Sequence, residues 1–518
     1  MFSAIEKKID FFYEKPIVFI VIIGISSFFI RLYFLPHDVP LILDSLLYFS
    51  YATDANVIGH LPTEYSQQNN IWPALLSFFF SVFDFSNFLD YMFLQRVISV
   101  FLSILTVIPV YLLCRRFFDK QYSLIGSALF VFDPRIIQNS VLGITEPLFI
   151  ILVTSTLYLS LSRNTKVIYA SFALAALSAL TRYEGILVFL VLTVIFFVNY
   201  RKERKVFFKY AIAVVIFVLV LSPMVYWRQQ NTGQDGVTSH LIAGAQASFQ
   251  LTENEENQTV ALFLFVVKGL ENLIKYLGWV MIPIFVFFAP LGFFLMLKER
   301  KNRLIIIFSM IVLSIAALYA YSRGYQETRY LYVMYPMFCI LSLFTVKKFV
   351  EQFRFKKTIL TLLVVVILLS SVIFLNIKKV DNQHEEEAFH IAQISTKIAK
   401  AVNDYYPEDM YLTPAGFPDK WPELRSNIVQ KTISISSSGF NTLDEYINDS
   451  KDKGLTHLVL DGHKNRPEFL NDVFYHEEKY PYLTKVFDSS EHGYTYHVKI
   501  FKINYEQINV LLKKLENH

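Results

Sequence analysis

The sequence predicts a polytopic α-helical membrane protein that ends in a small α/β domain. Of its 518 residues, 54% are hydrophobic and 16% aromatic, and its mean hydropathy is +0.40, values typical of a chain that lies mostly in lipid. Apolar segments recur as far as residue 376, and the sequence beyond that point is charged and mixed. We therefore expect a membrane-embedded module at residues 1–378 and a second domain at residues 379–518.

About eleven apolar segments approach the roughly 20 residues that a helix needs to cross a bilayer. They are residues 17–35, 92–113, 121–134, 145–162, 167–181, 185–200, 207–226, 277–297, 303–320, 329–346 and 358–376. Lys7, Lys8 and Lys15 precede the first segment, and no small-residue cleavage pattern follows it. This arrangement is typical of an uncleaved signal anchor.

Basic residues in the short loops predict the orientation. If the N-terminus lies inside, every inner loop contains Lys or Arg; these loops are residues 115–120, 163–166, 201–209, 298–303 and 347–357. Lys and Arg are enriched in the short cytoplasmic loops of membrane proteins. We therefore expect the N-terminus inside, and the first loop, the loop at residues 227–276 and the C-terminal domain outside.

The predicted first exterior loop, residues 36–95, contains several carboxylates and neither Lys nor Arg. Asp44 lies where a short interfacial helix is expected to begin. One interpretation is that Asp44 is an N-cap residue. The other is that Asp44 lies at the mouth of a membrane cavity, where a partly desolvated carboxylate can act as a general base. The local sequence leaves both interpretations open.

Two turns that contain ionisable residues lie at the predicted outer ends of membrane spans. Glu146 stands between Thr145 and Pro147, a combination that by itself explains a helix start, with an N-cap, an acid favoured by the helix dipole and a proline in the first turn. Arg182 and Glu184 occupy a loop so short that both must lie at the bilayer edge. Their mutual pairing is one interpretation, and a functional site is the other.

Arg323 and Arg329, the latter followed by Tyr330, lie on a predicted outer loop, against the trend that places basic residues inside. Exterior arginines do not help orientation, so an anionic partner such as a lipid phosphate is one explanation. Snorkelling of the side chains to lipid headgroups is the alternative.

The sequence indicates no certain cofactor. His37 and Asp38 are weak candidates for joining Asp44 around a divalent metal, because imidazole and carboxylate groups suit Mg, Mn or Zn, but no defined ligand spacing supports such a site. The sequence contains no Gly-rich phosphate loop and no Cys/His cluster. Basic residues cluster only in the predicted inner loops, so nucleic-acid binding is excluded.

Periodicity changes after residue 376. Ala388, Ile391, Ile394, Ile398 and Val402 recur at helical spacing, which predicts a helix within residues 383–406. Short β-rich runs follow at residues 410–413, 432–436, 457–460, 483–487 and 494–503, with helices between them near residues 443–452 and 467–476. We expect an extracytoplasmic α/β domain with its own core.

The membrane half, about residues 10–376, resembles the glycosyltransferase C superfamily, in particular its branch of protein O-mannosyltransferases and lipid A aminoarabinose transferases. The resemblance rests on short motifs: Asp44 with Tyr48 and Ala52, Thr145-Glu146-Pro147, Arg182-Tyr183-Glu184-Gly185, and Arg329-Tyr330 before Pro336. Many members have Glu after the Asp of the first exterior loop, whereas this chain has Ser45. The tail is similar to the extracytoplasmic tails of archaeal membrane glycosyltransferases.

The resemblance implies a membrane hexosyltransferase that uses a polyprenyl (dolichyl) phosphate sugar and inverts the anomeric centre. It implies a protein or glycolipid acceptor at the outer face of the plasma membrane. Asp44 would be the general base, and the substrate-binding residues would be Tyr48, Glu146, Arg182, Glu184, Arg323, Arg329 and Tyr330. The alternative is a multi-pass transporter or flippase for a lipid-linked or anionic substrate; against it, the charges cluster at span ends and no matched halves are found.

Overall fold

The computed structural model describes residues 13–37, 39–63, 65, 70–85, 88–237, 239, 242–244, 246, 258–299, 303–379, 381–399, 401–404 and 433–509. The chain divides into two compact units. The first unit comprises Met1–Leu35, Leu61–Leu76 and Leu94–Lys379. The second comprises Pro36–His60, Ser77–Phe93 and Val380–His518. Two segments of the predicted first exterior loop therefore belong with the C-terminal part of the chain.

Up to residue 377, the described residues form mainly α-helices joined by loops. In chain order the α-helices are α1 (Pro16–Phe34), α2 (Leu43–Ile58), α3 (Ile71–Val82), α4 (Phe88–Leu105), α5 (Val107–Cys114), α6 (Lys120–Val131), α7 (Pro134–Ser140), α8 (Glu146–Ser160), α9 (Thr165–Thr181), α10 (Ile186–Tyr200), α11 (Val206–Thr232), α12 (Gln258–Met281), α13 (Phe285–Met296), α14 (Arg303–Ser322), α15 (Tyr335–Val350) and α16 (Lys356–Ile377). Short 3₁₀ helices at Tyr183–Gly185 and Thr328–Met334 precede α10 and α15.

Within the described residues, seven helices are long and apolar enough to cross a membrane, or up to eight if α12 and α13, bent by 115°, form one span. The predicted number of about eleven is not confirmed. Three predicted spans correspond to α6, α8 and α9, which have 12, 15 and 17 residues. At 1.5 Å per residue such helices reach only about 18–26 Å, less than the hydrocarbon thickness of about 30 Å. The orientation stays a prediction.

The core of the first unit is built from large side chains that are fully enclosed. Phe130 of α6, Phe172 of α9 and Tyr335 of α15 are each at most 1% exposed. Helices α13 and α15 approach closely at Gly292, because a Cβ there would lie only 1.8 Å from the Leu341 carbonyl oxygen. These contacts pack the helices of the first unit into one apolar core.

The second unit contains a five-stranded sheet with helices on it. After α17 (Gln383–Ile398) come β1 (Ala401–Asn403), β2 (Ile433–Ile435), α18 (Leu443–Lys451), β3 (His457–Leu460), α19 (Glu468–Tyr475), β4 (Leu483–Asp488) and β5 (Lys499–Ile503). The strand order is β2-β1-β3-β5-β4; β1 is parallel to β2 and β3, whereas β5 is antiparallel to β3 and β4. One core contains α18 and α19 residues, and another contains α17 residues.

The sequence placed one element of this unit wrongly. Val402 was expected on the helix that includes Ile398, but α17 ends at Ile398 and Val402 lies in β1. An apolar residue at position 402 is compatible with both the helical and the strand pattern of burial, because one core buries residues of α17 and of the sheet. The run predicted at residues 410–413 lies outside the described residues. The domain limits 1–378 and 379–518 stay a prediction; the cut between Lys379 and Val380 lies one residue away.

Candidate functional site

A tight turn between α9 and α10 presents two of the predicted site residues. Arg182 leaves α9 in an extended conformation, with φ −146° and ψ 138°, and the 3₁₀ helix Tyr183–Gly185 follows. Gly185 lies against the last turn of α9, since a Cβ there would be 2.3 Å from the Ser178 carbonyl carbon. The close approach requires glycine and turns Arg182 and Glu184 back towards α8.

Arg182 bridges two carboxylates. Its Nη1 lies 2.7 Å from Glu146 Oε1 and donates to Thr145 Oγ1 at 3.0 Å. Its Nη2 and Nε donate to the two oxygens of Glu184 at 2.9 and 3.3 Å. A guanidinium presents its donors in a fixed fork, so these contacts hold the side chain in one orientation. Arg182 is therefore engaged with carboxylates in this structure.

The third part of the site comes from the 3₁₀ helix Thr328–Met334. The Arg329 guanidinium pairs with Glu327, whose side chain is half exposed, and lies 5.8 Å from the centroid of the Tyr330 ring. The hydroxyl of Tyr321 donates to the Glu327 carbonyl at 2.9 Å and thereby ties the preceding loop to α14. Arg329 thus lies beside the cavity and pairs there with a half-exposed carboxylate.

These elements enclose one cavity in the first unit. Its polar wall consists of Glu146, Arg182, Glu184, Arg329 and the ring of Tyr330. Its apolar wall includes Ile150, Leu187, Leu313 and Val333. The cavity volume is about 20 Å³, room for little more than one water molecule. Five of the predicted substrate-binding residues therefore converge, and the cavity must widen before it admits a sugar or a phosphate.

Arg323 does not line this cavity. Its side chain is exposed and lies 5.7 and 5.6 Å from the ring centroids of Tyr319 and Tyr325. Its predicted contact with substrate stays a prediction, as do those of the other residues.

Asp44 and Tyr48 belong to the second unit, on α2. Asp44 lies in the first turn of α2 and the N-cap is Ile42, so Asp44 is not the N-cap residue. Tyr48 is buried. On this helix the Phe49 ring lies 5.5 Å from the Phe80 ring, which in turn lies 5.5 Å from the Tyr91 ring. Aromatic packing thus fixes the helix that carries Asp44.

Leu43, next to Asp44, has a conformation that the sequence did not predict. Its φ is +49°, and its side chain is 66% exposed. Among the described non-glycine residues, Leu43 alone has a positive φ. The left-handed region costs a non-glycine residue about 1–2 kcal/mol, and such conformations concentrate at functional sites. Leucine has no preference for this region, so the sequence contains no signal of it.

The described residues do not form a metal site. His37 stacks on Phe93 with ring centroids 4.8 Å apart, and Asp38 lies outside the described residues. No group of three or more His, Cys, Asp or Glu side chains in the described part of the chain is placed to hold a metal ion. The divalent metal considered from the sequence stays a prediction, and no step below depends on it.

Residues 71–227 match the family model described as dolichyl-phosphate-mannose-protein mannosyltransferase. This segment contains Glu146, Arg182 and Glu184, but neither Asp44 nor Arg329. No curated protein matches the chain significantly.

Solved structures share the fold. ArnT from Cupriavidus metallidurans bound to undecaprenyl phosphate is similar with a TM-score of 0.59 and 11% identity, over 94% of this chain and 97% of that one. The Archaeoglobus fulgidus oligosaccharyltransferase in complex with Zn and sulfate is similar with a TM-score of 0.55 and 13% identity, over 86% and 68% of the two chains. AglB from the same organism, in complex with an inhibitory peptide and a dolichol-phosphate, has a TM-score of 0.53 and 12% identity, over 96% and 75%.

Sequence identities of 11–13% show a shared fold and nothing finer. The segment that matches the family model contributes Glu146, Arg182 and Glu184 to the cavity. Residues 71–227 thus match a protein mannosyltransferase family model, and the chain shares the fold of the two membrane glycosyltransferases ArnT and the Archaeoglobus fulgidus oligosaccharyltransferase.

Proposed function

We propose that the chain transfers a sugar from a polyprenyl (dolichyl) phosphate donor to an acceptor hydroxyl and inverts the anomeric centre. The observation that carries this proposal is the cavity lined by Glu146, Arg182, Glu184, Arg329 and Tyr330 within a glycosyltransferase fold. The fold neighbours that hold undecaprenyl phosphate and dolichol-phosphate support a lipid-phosphate donor. The acceptor is a protein or a glycolipid.

In the proposed reaction, the acceptor oxygen forms a bond to the anomeric carbon from the face opposite the leaving group. The bond between that carbon and the phosphate oxygen breaks, and its electron pair leaves with the lipid phosphate. Asp44 accepts the proton of the acceptor hydroxyl. The departing phosphate gains one negative charge, so a cation near it stabilises the transition state.

Arg329 suits that stabilising role better than Arg182. Arg182 already contacts two carboxylates, each more than nine-tenths buried, whereas Arg329 pairs with the half-exposed Glu327. Exchanging an exposed partner costs little, since exposed ion pairs contribute only about 0–1 kcal/mol. We assign Arg182 the role of holding Glu146 and Glu184, whose oxygens would accept hydrogen bonds from sugar hydroxyls.

We also propose that the N-terminus lies inside and that the cavity, the first exterior loop and the C-terminal domain face outside. The basic loops at residues 115–120, 201–209 and 347–357 support this orientation. The plasma membrane is the membrane in which such an enzyme would meet an acceptor of the cell envelope.

A transfer assay tests the proposal. The full chain in lipid nanodiscs is incubated with labelled polyprenyl-phosphate sugars, mannose first, and an acceptor extract. The proposal expects release of polyprenyl phosphate together with a glycoside of the opposite anomeric configuration. Movement of the intact labelled lipid across proteoliposomes, with no glycoside formed, would instead favour the flippase alternative.

A further inference from the structure

A second cavity of the first unit lies between the last turns of α13 and α15. Its volume is about 320 Å³, and none of its lining residues belongs to the candidate site. The Phe285 and Phe338 rings, near the starts of α13 and α15, lie 5.9 Å apart. The cavity lies between the C-terminal ends of the same two helices, so α13 and α15 run in the same direction.

The packing of the two helices explains why this groove exists. Gly292 lets the backbones touch, and Thr345 donates a hydrogen bond to the Phe288 carbonyl at 2.7 Å. One turn beyond, Leu295 and Phe349 are too large for the same approach. The helices therefore leave a groove between them that runs to the ends of both.

The walls of the groove are apolar and open to the surroundings. Leu291, Phe294 and Phe349 are 58%, 65% and 53% exposed. On a helix that lies in a bilayer, such a surface meets acyl chains. A groove of several hundred cubic ångströms gives one chain a defined place to lie, which a flat helix face does not.

Two lysines lie at the end of the groove. Lys298 follows α13 and Lys348 lies in the last turn of α15; both line the cavity and both side chains are exposed. Within the described residues neither ammonium has an ion pair, whereas the neighbouring Lys347 lies 4.0 Å from Glu351. Gln352 adds an amide to the same lining. The end of the groove thus offers two positive charges and a neutral donor.

We infer that this groove binds an anionic phospholipid from the leaflet that borders the ends of α13 and α15. Lys298 and Lys348 hold the headgroup phosphate, and Gln352 donates to headgroup oxygens. One acyl chain lies along Leu291 and Phe349. Basic pockets between membrane helices recognise anionic headgroups in this way. The inference is independent of the transfer reaction and of the orientation of the chain.

Photolabelling of the full chain tests the inference. The protein is placed in phosphatidylcholine nanodiscs that contain a few per cent of phosphatidylglycerol with a photoactivatable acyl chain, and the labelled peptides are identified. We expect labels within residues 291–298 and 345–352. The Lys298→Ala/Lys348→Ala variant should reduce them at least about fivefold, since each lysine near an anionic headgroup adds affinity. The Lys166→Ala/Lys202→Ala variant removes the same charge at positions that do not line the groove and should keep wild-type labelling.

Two further variants keep the test decisive. Lys298→Arg/Lys348→Arg preserves the charge and should retain labelling, which excludes loss through misfolding. Leu295→Trp fills the groove but keeps both lysines, and it should lose labelling as the alanine variant does. Equal labelling by a photoactivatable phosphatidylcholine, or unchanged labelling in Leu295→Trp, would overturn the inference, because the lipid would then be held by general surface contact.

Discussion

Asp44 is the residue on which the proposed chemistry depends most. We expect Asp44→Asn to lower transfer by at least about two orders of magnitude, the usual loss when a general base is removed, while the protein remains folded in the membrane. Turnover of purified protein in nanodiscs measures the effect. Asp84→Asn is the matched control, because Asp84 is an exposed carboxylate of the same loop and should leave turnover unchanged. Near-normal turnover of the Asp44 variant would exclude it as the base.

Arg329 should show a graded response to substitution. Lysine keeps the charge but loses the planar fork, so Arg329→Lys is expected to impair transfer less than Arg329→Ala, yet measurably. Binding and turnover of the lipid-phosphate sugar are measured for both. Arg303→Ala, at the start of α14 and away from the cavity lining, is the charge control. The assignment fails if both properties are unchanged in the Arg323→Ala/Arg329→Ala double variant.

Individual site residues were predictable to different degrees. Glu146, Arg182 and Glu184 were identified because ionisable residues at span ends are uncommon, and the structure brings them together. The separate roles proposed for Arg182 and Arg329 were not predictable, since they depend on which carboxylates each arginine contacts. The conformation of Leu43 was not predictable either, because leucine has no preference for positive φ.

Arg182 also joins two elements, α8 and the turn before α10. Arg182→Ala leaves the buried carboxylates of Glu146 and Glu184 without their cation and should lower the unfolding temperature in nanodiscs. Adding Glu146→Gln removes one of those charges and should restore part of the loss. A coupling of about 1–3 kcal/mol is the expected range for residues in one ion-pair network. Strict additivity of the two substitutions would show that the bridge does not connect these elements.

Long apolar helices were easier to predict than short ones. Helices α11, α14 and α16 have 27, 20 and 22 residues and lie close to the predicted spans. Hydropathy alone cannot tell a short enclosed helix such as α6 from a span, because protein interior and lipid are both apolar. The five strands were harder still, since β1 and β2 have three residues each.

Orientation is a property of the whole molecule and can be measured directly. In a background in which Cys114 and Cys339 are replaced, an impermeant thiol reagent should label His60→Cys and Asp452→Cys from outside. It should not label Arg204→Cys until the membrane is permeabilised. The expectation follows from the basic inner loops. Labelling of position 204 in intact cells would contradict the predicted orientation.

The composition of the second unit has a consequence for the synthesis of the chain. Leu89, from the predicted first exterior loop, packs against the core that contains Phe389, and 300 residues separate the two in sequence. At about 5–20 residues per second, translation of that interval takes roughly 15–60 s. The segment around Leu89 therefore leaves the ribosome long before its packing partners exist, and the part of the molecule that carries Asp44 can complete its folding only after the last membrane helix has been made.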